Sequence, residues 1–504
     1  MHDRGPIFAA LDYGTGSGKC ALFDAAGHCL AVAREPWTYR EEPVEPPGFT
    51  RGYSFDPDAF WAALARCTRA ALAKAGVGSD AIAGVSASAQ RLGSVFLDAR
   101  GREVYAGPNM DGRGFDGAMQ IMGRLSLERA VGIGGHWPPF VSTLARLLVY
   151  RSRPDAVPVA KVLTLSDWMT WRLTGELAAE PSNACETMLL DFPSRTWSRE
   201  ITAAFDVDER LLPPVVEPAT RIGTVTPSAA AATGLRPGTP VYAGGGDTQC
   251  ALLGSAVVEP GRAGAVLGTT TPVMSVTAEP KVDASGRLWS GCHVLPGRWT
   301  IESNSGDTGI TWEWLLGLLG LEGAEGHARA EAEIVLLPED PQPAFGIMGP
   351  HVFDLLSFNP HQAMGFLLRM PPFTPRPGRA TLLRAFQENI VCAVRANLEQ
   401  IEALQGPVHS LTLSGGMTRS PSLLATFARL LHRPLQVAEQ HDATALGAAI
   451  LAAAGHGTHP SIGAAAEAMV RLHRLDPDER QRRAYDAHFA RWRELYDQMR
   501  ATTL

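Results

Sequence analysis

Residues 11–27, LDYGTGSGKCALFDAAG, place Gly14, Gly16 and Gly18 in front of Lys19, directly after an apolar run. Glycine-rich loops hold phosphate in several unrelated folds, so spacing decides between them. A P-loop ending at Gly18-Lys19 needs glycine at position 13 and Ser or Thr at position 20, where Tyr13 and Cys20 stand. A dinucleotide fingerprint starting at Gly14 needs glycine at position 19, where Lys19 stands. Both of those loops also open a helix. Here KCALFDAAGHCLAVARE (19–35) reads as a strand, a turn at 24–27 and a second strand. Strand, Gly/Thr/Ser turn and strand make a hairpin. The amides of such a turn can cradle a phosphate, and Asp12 at the strand end is suited to hold a magnesium ion through water. An ordinary glycine-rich hairpin is the plain alternative.

The chain has 504 residues, too many for one core, so two or three domains are expected. A formal charge of −7 gives no basic footprint for nucleic acid or an anionic membrane. The densest basic run, RQRR (480–483), is flanked by Asp476, Asp478, Glu479 and Asp486 and reads as a solvated helix face. Seven scattered cysteines without a C-x-x-C pair fit reduced thiols. With no apolar run long enough to span a membrane and no leader at the start, a cytoplasmic protein without a membrane partner is expected.

Strand, helix and Gly/Pro signals alternate throughout, so the class is α/β. FDPDAFWAALARCTRAALAKAG is a helix with Asp56 as cap, Pro57 in the first turn and Gly76 at its end. AIAGVSASAQ reads as a buried strand entering the turn 90–93. Near residue 240 the pattern restarts: PVYAGGGDTQCALLG is a strand, three glycines, an aspartate and a small-residue helix. AGAVLGTTTPVMSV (263–276) then repeats the strand, Gly/Thr turn and strand of the opening, which suggests a duplicated architecture. TLLRAFQENIVCAVRANLEQIEAL carries one apolar stripe through Leu383, Phe386, Ile390, Val394, Leu398 and Ile401. SLTLSGGMTRSPSLLATFARLLH gives a strand, a Gly-Gly turn, Ser420 as cap and a helix, and DATALGAAILAAAG is a closely packing helix. Tyr485, Phe489, Trp492 and Tyr496 recur at helical spacing and read as core packing of a closing helix. The expected organisation is an N-terminal domain over 1–243, a C-terminal domain over 244–455 and a helical tail over 456–504.

Phosphoryl transfer needs a neutralised polyphosphate, a metal and a group that takes the proton of the attacking hydroxyl. Thr15, Ser17, Thr269 and Thr270 supply hydroxyls, while Gly14 and Gly268 let amides approach. Asp247, at a strand end after three glycines, is the proton-acceptor candidate, and a helix cap is its equally weighted alternative. No H-E-x-x-H, clustered Cys/His set or G-x-S-x-G elbow competes. His456 and His459 lie three apart in a loop that favours no metal role.

With these motifs in place the chain resembles the FGGY carbohydrate kinases, whose fold is two actin-like (ribonuclease H-like) ATPase domains with an interdomain cleft. The likeness runs from about residue 7 to about residue 455 through LDYGTGSGKCALFD, SDWMTWRLTGELAAEPSNA, GGGDTQCALLG, VLGTTT, LSGGMTRSPSLLATFARLLHRPLQV and ATALGAAILAAAG, in family order. It implies an ATP-dependent kinase acting, with magnesium, on a hydroxyl of a small sugar or polyol. Asp247 matches the general base. Asp12, Gly14 and Thr15 match the first phosphate and magnesium loop, and Gly268, Thr269 and Thr270 the second. Gly415 and Gly416 match the turn that approaches ATP, and NSGDTG (304–309) lies near the expected nucleotide pocket. Dimers are common in the family, so a homodimer is compatible with the likeness.

The acceptor side departs from each branch of the family. Xylulokinases carry Q-M-H-G and glycerol kinases Q-R-E-T where this chain has Gln90-Arg91-Leu92-Gly93. Asn109, Asp111 and Arg113 form an N-x-D-x-R pattern that, with G-G-D-x-Q at 245–249, is most similar to the autoinducer-2 kinase branch, which carries Glu where Leu92 stands. Arg146 and Val149 replace a Lys and a Trp of the first family signature. The expected acceptor pocket is Gln90, Arg91, Asn109, Asp111, Asp247 and Gln249. Alternatives remain for three of these: an Arg91–Asp111 ion pair, and Asn109 as a turn residue. Two further readings also stay open: an actin-like nucleotide-dependent binding protein, and a degenerate kinase homologue without turnover.

Overall fold

Ile7–Tyr13 pairs antiparallel with Ser17–Asp24, which pairs antiparallel with Cys29–Pro36, so the opening motif is a hairpin extended by a third strand. A computed structural model describes residues 5–44, 50–355, 362–369, 373 and 376–503. The chain divides into two compact units that interleave along the sequence. Unit 1 comprises Met1–Pro260, Val276–Thr300 and Asp442–Val470, and unit 2 comprises Gly261–Ser275, Ile301–His441 and Arg471–Leu504.

In unit 1 one sheet runs Arg221–Thr224, Pro240–Gly246, Ile82–Ala89, Ile7–Tyr13, Ser17–Asp24, Cys29–Pro36. Its central strand is buried on both faces. Ile7, Ala9, Leu11 and Tyr13 pack with Leu64 and Trp168, while Phe8 and Ala10 pack with Ala449 and Ile450. The period of two thus feeds two cores, one on each side of the sheet. The helix Pro57–Ala75 covers the first face, with Asp56 accepting from the Asp58 and Ala59 amides and Gly76 closing it at φ 63°. The helix Ala443–His456 covers the second.

The sheet of unit 2 repeats the pairing order. Arg262–Val266 pairs antiparallel with Thr270–Thr277 and parallel with Ser410–Ser414, which pairs parallel with Leu435–Ala438, itself antiparallel to Leu472–Leu475. Unit 1 has the same succession about Ile7–Tyr13: antiparallel, parallel, parallel, antiparallel. The duplication suggested by the two Gly/Thr hairpins therefore extends to strand topology. The helix Arg379–Gln405 buries all six residues of its predicted stripe. The helix Arg482–Ala501 buries Tyr485, Phe489, Trp492 and Tyr496, and Trp492 Nε1 donates to Asn389 Oδ1 at 2.8 Å. Arg480 and Arg482 are exposed and pair with Asp478 and Glu479, as a solvated face does. All seven cysteines are free thiols, and among the described residues no helix is long and apolar enough to cross a membrane.

Candidate active site

In unit 1 the turn after Tyr13 closes with Gly14 N donating to Ser17 O at 3.0 Å, leaving Thr15 and Gly16 exposed at its tip. Below the tip, Asp12 is buried and lies level with Lys19 on one side and Ser88 on the other. Ser88 Oγ donates to Asp12 Oδ1 at 3.0 Å, and Lys19 Nζ sits 2.9 Å from Asp12 Oδ2 and 3.0 Å from Asp442 Oδ1. Burial alone would lower the Lys19 pKa, but the two carboxylates outweigh it and raise it. This places a fixed positive charge under the phosphate turn. Lys19 and Asp442 are site residues that the motif reading missed. Lys19 stood in the quoted run, whereas Asp442 is 423 positions away with no local signal.

The strand Ile82–Ala89 ends in the turn that carries Gln90 and Arg91. Gln90 is fully buried; its Oε1 accepts from Thr15 Oγ1 (3.1 Å) and its Nε2 donates to the Tyr39 hydroxyl (3.0 Å). Asn109 Nδ2 also donates to Thr15 Oγ1, at 3.0 Å. The acceptor-side residues Gln90 and Asn109 thus meet the phosphate turn through one hydroxyl. Asp111 is wholly buried. Its carboxylate accepts from Tyr53 N (3.1 Å), Arg113 Nε (2.9 Å) and the Tyr105 hydroxyl. Burial would raise its pKa, but Arg146 and Arg113 hold it below the usual carboxylate range. Its oxygens are therefore spent on the protein, and the fold gives Asp111 a bracing role behind the pocket.

Arg146, absent from the expected set, is the other brace. Fully buried, its guanidinium donates to the carbonyls of Asp111 (3.0 Å), Asn109 (3.3 Å) and Leu92. One side chain therefore ties the turn 90–93 to the segment 109–111. Leu92 adopts φ 65°, a left-handed conformation that costs a leucine about 1 kcal/mol.

Pro240–Gly246 delivers Asp247. Gly246 occupies the N-cap position without a side-chain cap, and Asp247 is the first residue of the helix Asp247–Leu253. The capping alternative is corrected by this geometry. Asp247 Oδ1 accepts from Thr248 N (2.7 Å) and Thr248 Oγ1 (3.1 Å), within its own turn. Burial raises the Asp247 carboxyl, Arg91 lowers it and Asp12 raises it, leaving it at about 6. Such a carboxylate is ionised at neutral pH yet more basic than a solvated one, which suits a general base. The glycines before it admit close neighbours: a Cβ on Gly244 would lie 1.7 Å from Ala87 O, and one on Gly246 2.6 Å from Gln249 Oε1 and 3.2 Å from Arg91 Cγ. Gln249 Oε1 and Asn109 Oδ1 are buried without a hydrogen bond. Ser182 Oγ accepts from Gly246 N (3.0 Å) and donates to Glu180 Oε2 (2.6 Å), fixing the strand end just before the base.

Unit 2 gathers the other expected residues by itself. Gly268 N donates to Thr270 O at 3.1 Å in the second Gly/Thr turn. Gly309 N donates to Gly268 O (3.0 Å) and Thr308 N to Thr269 O (3.1 Å), which docks the end of the NSGDTG segment on this turn. Thr271 and Thr308 hydroxyls meet at 2.8 Å. Met417 N donates to Leu267 O (3.2 Å), and a Cβ on Gly415, at φ 97°, would lie 2.5 Å from that carbonyl. The second turn, Gly415–Gly416 and residues 307–309 therefore form one contiguous group of exposed loops and amides.

Models of the FGGY family of carbohydrate kinases match both halves, the N-terminal domain over residues 7–254 and the C-terminal domain over 263–456. The chain belongs to the FGGY family of carbohydrate kinases. It is similar to the autoinducer-2 kinase of Salmonella typhimurium, 33% identical over 513 residues that cover 99% of this chain and 96% of that protein. The autoinducer-2 kinase of Yersinia enterocolitica is 32% identical over 98% of this chain and 94% of its own length. Among solved structures, xylulose kinase from Rhodospirillum rubrum superposes with a TM-score of 0.81 at 25% identity, covering 98% of each chain. Plasmodium falciparum glycerol kinase with ADP shares the fold, with a TM-score of 0.80 at 16% identity and 99% coverage of each chain. The protein is thus an ATP-dependent phosphotransferase of the two-domain, actin-like kinase fold, acting on a sugar-type hydroxyl.

For this kinase the donor set around Asp12 fits magnesium that arrives with the nucleotide. Among the described residues no group of three His, Cys, Asp or Glu forms a metal cage. One hard carboxylate beside a phosphate turn is what magnesium needs when waters and phosphate oxygens complete its shell.

Proposed function

We propose that this kinase transfers the γ-phosphoryl group of magnesium-bound ATP to a hydroxyl of a small linear polyhydroxy carbonyl, of the kind the autoinducer-2 kinases are named for. One observation carries the reading. Asp247, at about 6, stands with Arg91 and the unpartnered Gln249 Oε1 in a buried polar group that a nucleotide switch would not need. Asp247 takes the proton of the attacking hydroxyl, and Arg91 offers N–H donors to an acceptor oxygen. The turns at 14–17 and 268–270 hold phosphates, with Lys19 adding charge, and Gly415–Gly416 admits the nucleoside. Asp12 holds the water shell of magnesium, which neutralises the polyphosphate when bound.

Similarity at a third of positions over nearly the whole chain supports the autoinducer-2-like acceptor, and the xylulose kinase likeness supports a ketopentose as the second reading. A cytoplasmic setting follows from either acceptor class, and a homodimer is the assembly proposed. The test is a coupled ADP-release screen over 4,5-dihydroxypentane-2,3-dione, xylulose, erythritol and glycerol. The dione is expected to give the highest kcat/KM. Xylulose leading would favour the ketopentose reading, and ATP binding with no acceptor phosphorylated would overturn both.

A further inference from the structure

Leu92 leaves the acceptor turn without the carboxylate that related turns carry, yet Arg91 is not left without one. The segment Cys185–Thr187 brings Glu186 to it from 95 positions away: Arg91 Nη1 donates to Glu186 Oε1 at 3.1 Å, with the Glu186 side chain only 1% exposed. Behind Glu186 stands His136, also buried. Its Nδ1 lies 2.9 Å from the carbonyl of Gly134, which can only accept, so Nδ1 carries a proton there. Its Nε2 faces Glu186 Oε2 at 3.4 Å, and the edge of Trp289 packs on the ring at 4.8 Å. Glu186 Oε2 has no hydrogen bond, so the carboxylate is held by charge and packing and is directed at Arg91.

On the other side of Arg91 lies Asp247, whose carboxylate the guanidinium stabilises. Two buried carboxylates therefore share one guanidinium. A fork-to-fork Arg–carboxylate pair is the strong geometry for such groups, and if Arg91 formed it with Asp247 the base would be neutralised and its lone pairs occupied. With one arm committed to Glu186, Arg91 cannot present its full fork to Asp247. We infer that Glu186, backed by His136, is a positioning residue of phosphoryl transfer that tethers Arg91, keeping Asp247 available as base and directing the remaining N–H groups at the acceptor.

The inference rests on the assignment of Asp247 and Arg91 proposed above, and the experiment separates the two. Kinetics with the best acceptor of the screen, and melting temperatures, are measured for wild type, E186Q, E186D, R91A and the E186Q/R91A double variant. E186Q is expected to lower kcat about tenfold or more and to raise acceptor KM at unchanged melting temperature, with E186D recovering part of the loss. In the R91A background E186Q should change kcat/KM less than about twofold, because the tethered group is already gone. Equal losses in both backgrounds, or an E186Q enzyme within about twofold of wild type, would overturn the tether while leaving the acceptor-kinase reading intact. Should E186Q fail to fold, R91A answers alone: added guanidinium ion should restore turnover by binding Glu186, and no restoration overturns the inference. A wild type that phosphorylates no acceptor removes both readings.

Discussion

At the scale of single residues, the kinase sets its chemistry by what it buries beside each charge. Asp247 is raised to about 6 because burial and Asp12 oppose ionisation more than Arg91 favours it. The active form of a base is the ionised one, present above that value and lost as pH falls through it. Acceptor kcat/KM should therefore drop about tenfold per pH unit below 6, with a plateau above it, in a pH series on the free enzyme. D247N should remove about two to four orders of magnitude of kcat while the ATP-induced rise in melting temperature persists. Arg146 makes a different claim. Lysine has one ammonium on a flexible stem and cannot serve three carbonyls in one plane. R146K should raise acceptor KM about tenfold with ATP KM unchanged, because only the turn 90–93 and the segment 109–111 lose their tie. Asp12, Gln90 and Asp247 were legible in the sequence because each sits in a motif at a strand end. Arg146, Glu186 and Asp442 were not, since each reaches its partner across tens to hundreds of positions and carries no local pattern.

At the scale of elements, glycine spacing and strand periodicity made both hairpins readable, because a turn between two apolar runs constrains its neighbours within a few residues. What holds a strand end in place was not readable from the same pattern. Glycine run 244–246 is an example: a Cβ at Gly244 would meet the Ala87 carbonyl of the adjacent strand at 1.7 Å, so G244A should leave the protein insoluble or remove its cooperative melting transition. Gly123 lies in the helix Phe115–Arg124 with no atom near its would-be Cβ, and G123A should keep or raise the melting temperature. The Ser182–Glu180 support brings a pH signature. Burial is the main cause that raises Glu180 to about 7 and Asp167, whose Oδ1 accepts from Glu180 N at 3.3 Å, to about 8. Both are therefore raised above their unfolded values. The stability they contribute is fully present below about 4 and is lost as pH rises through 7 to 8. Melting temperature should fall between pH 6 and 9, and D167N should flatten that fall; an identical slope in the variant would assign the effect to other groups.

At the scale of the whole molecule, the two units repeat one strand order, and this was visible as a second Gly/Thr hairpin near residue 268. The interleaving of the units was not visible, because a helix of small residues such as Ala443–His456 fits equally well against many sheets and nothing local states which one it covers. It covers unit 1. Its Gly447 would place a Cβ 1.9 Å from the Cys250 carbonyl, and Gly254 would place one 2.0 Å from Ala443 O, so this helix meets the helix that begins at Asp247 backbone to backbone. Its preceding residue, Asp442, also takes the Lys19 ammonium at 3.0 Å. The general base and the phosphate turn near the start of the chain thus depend on residues beyond position 440. A chain ending at residue 441 keeps every N-terminal motif but exposes Phe8, Ala10 and Tyr242, which the helix now buries. Burying such side chains contributes about 1.5–3 kcal/mol for each large one, comparable in sum with the whole stability of a domain. The 1–441 chain should therefore be insoluble or lack cooperative melting, and co-expression of a 442–504 segment should restore soluble protein. A truncated chain that melts cooperatively and binds ATP as the full chain does would show that the first unit is complete without its returning helix.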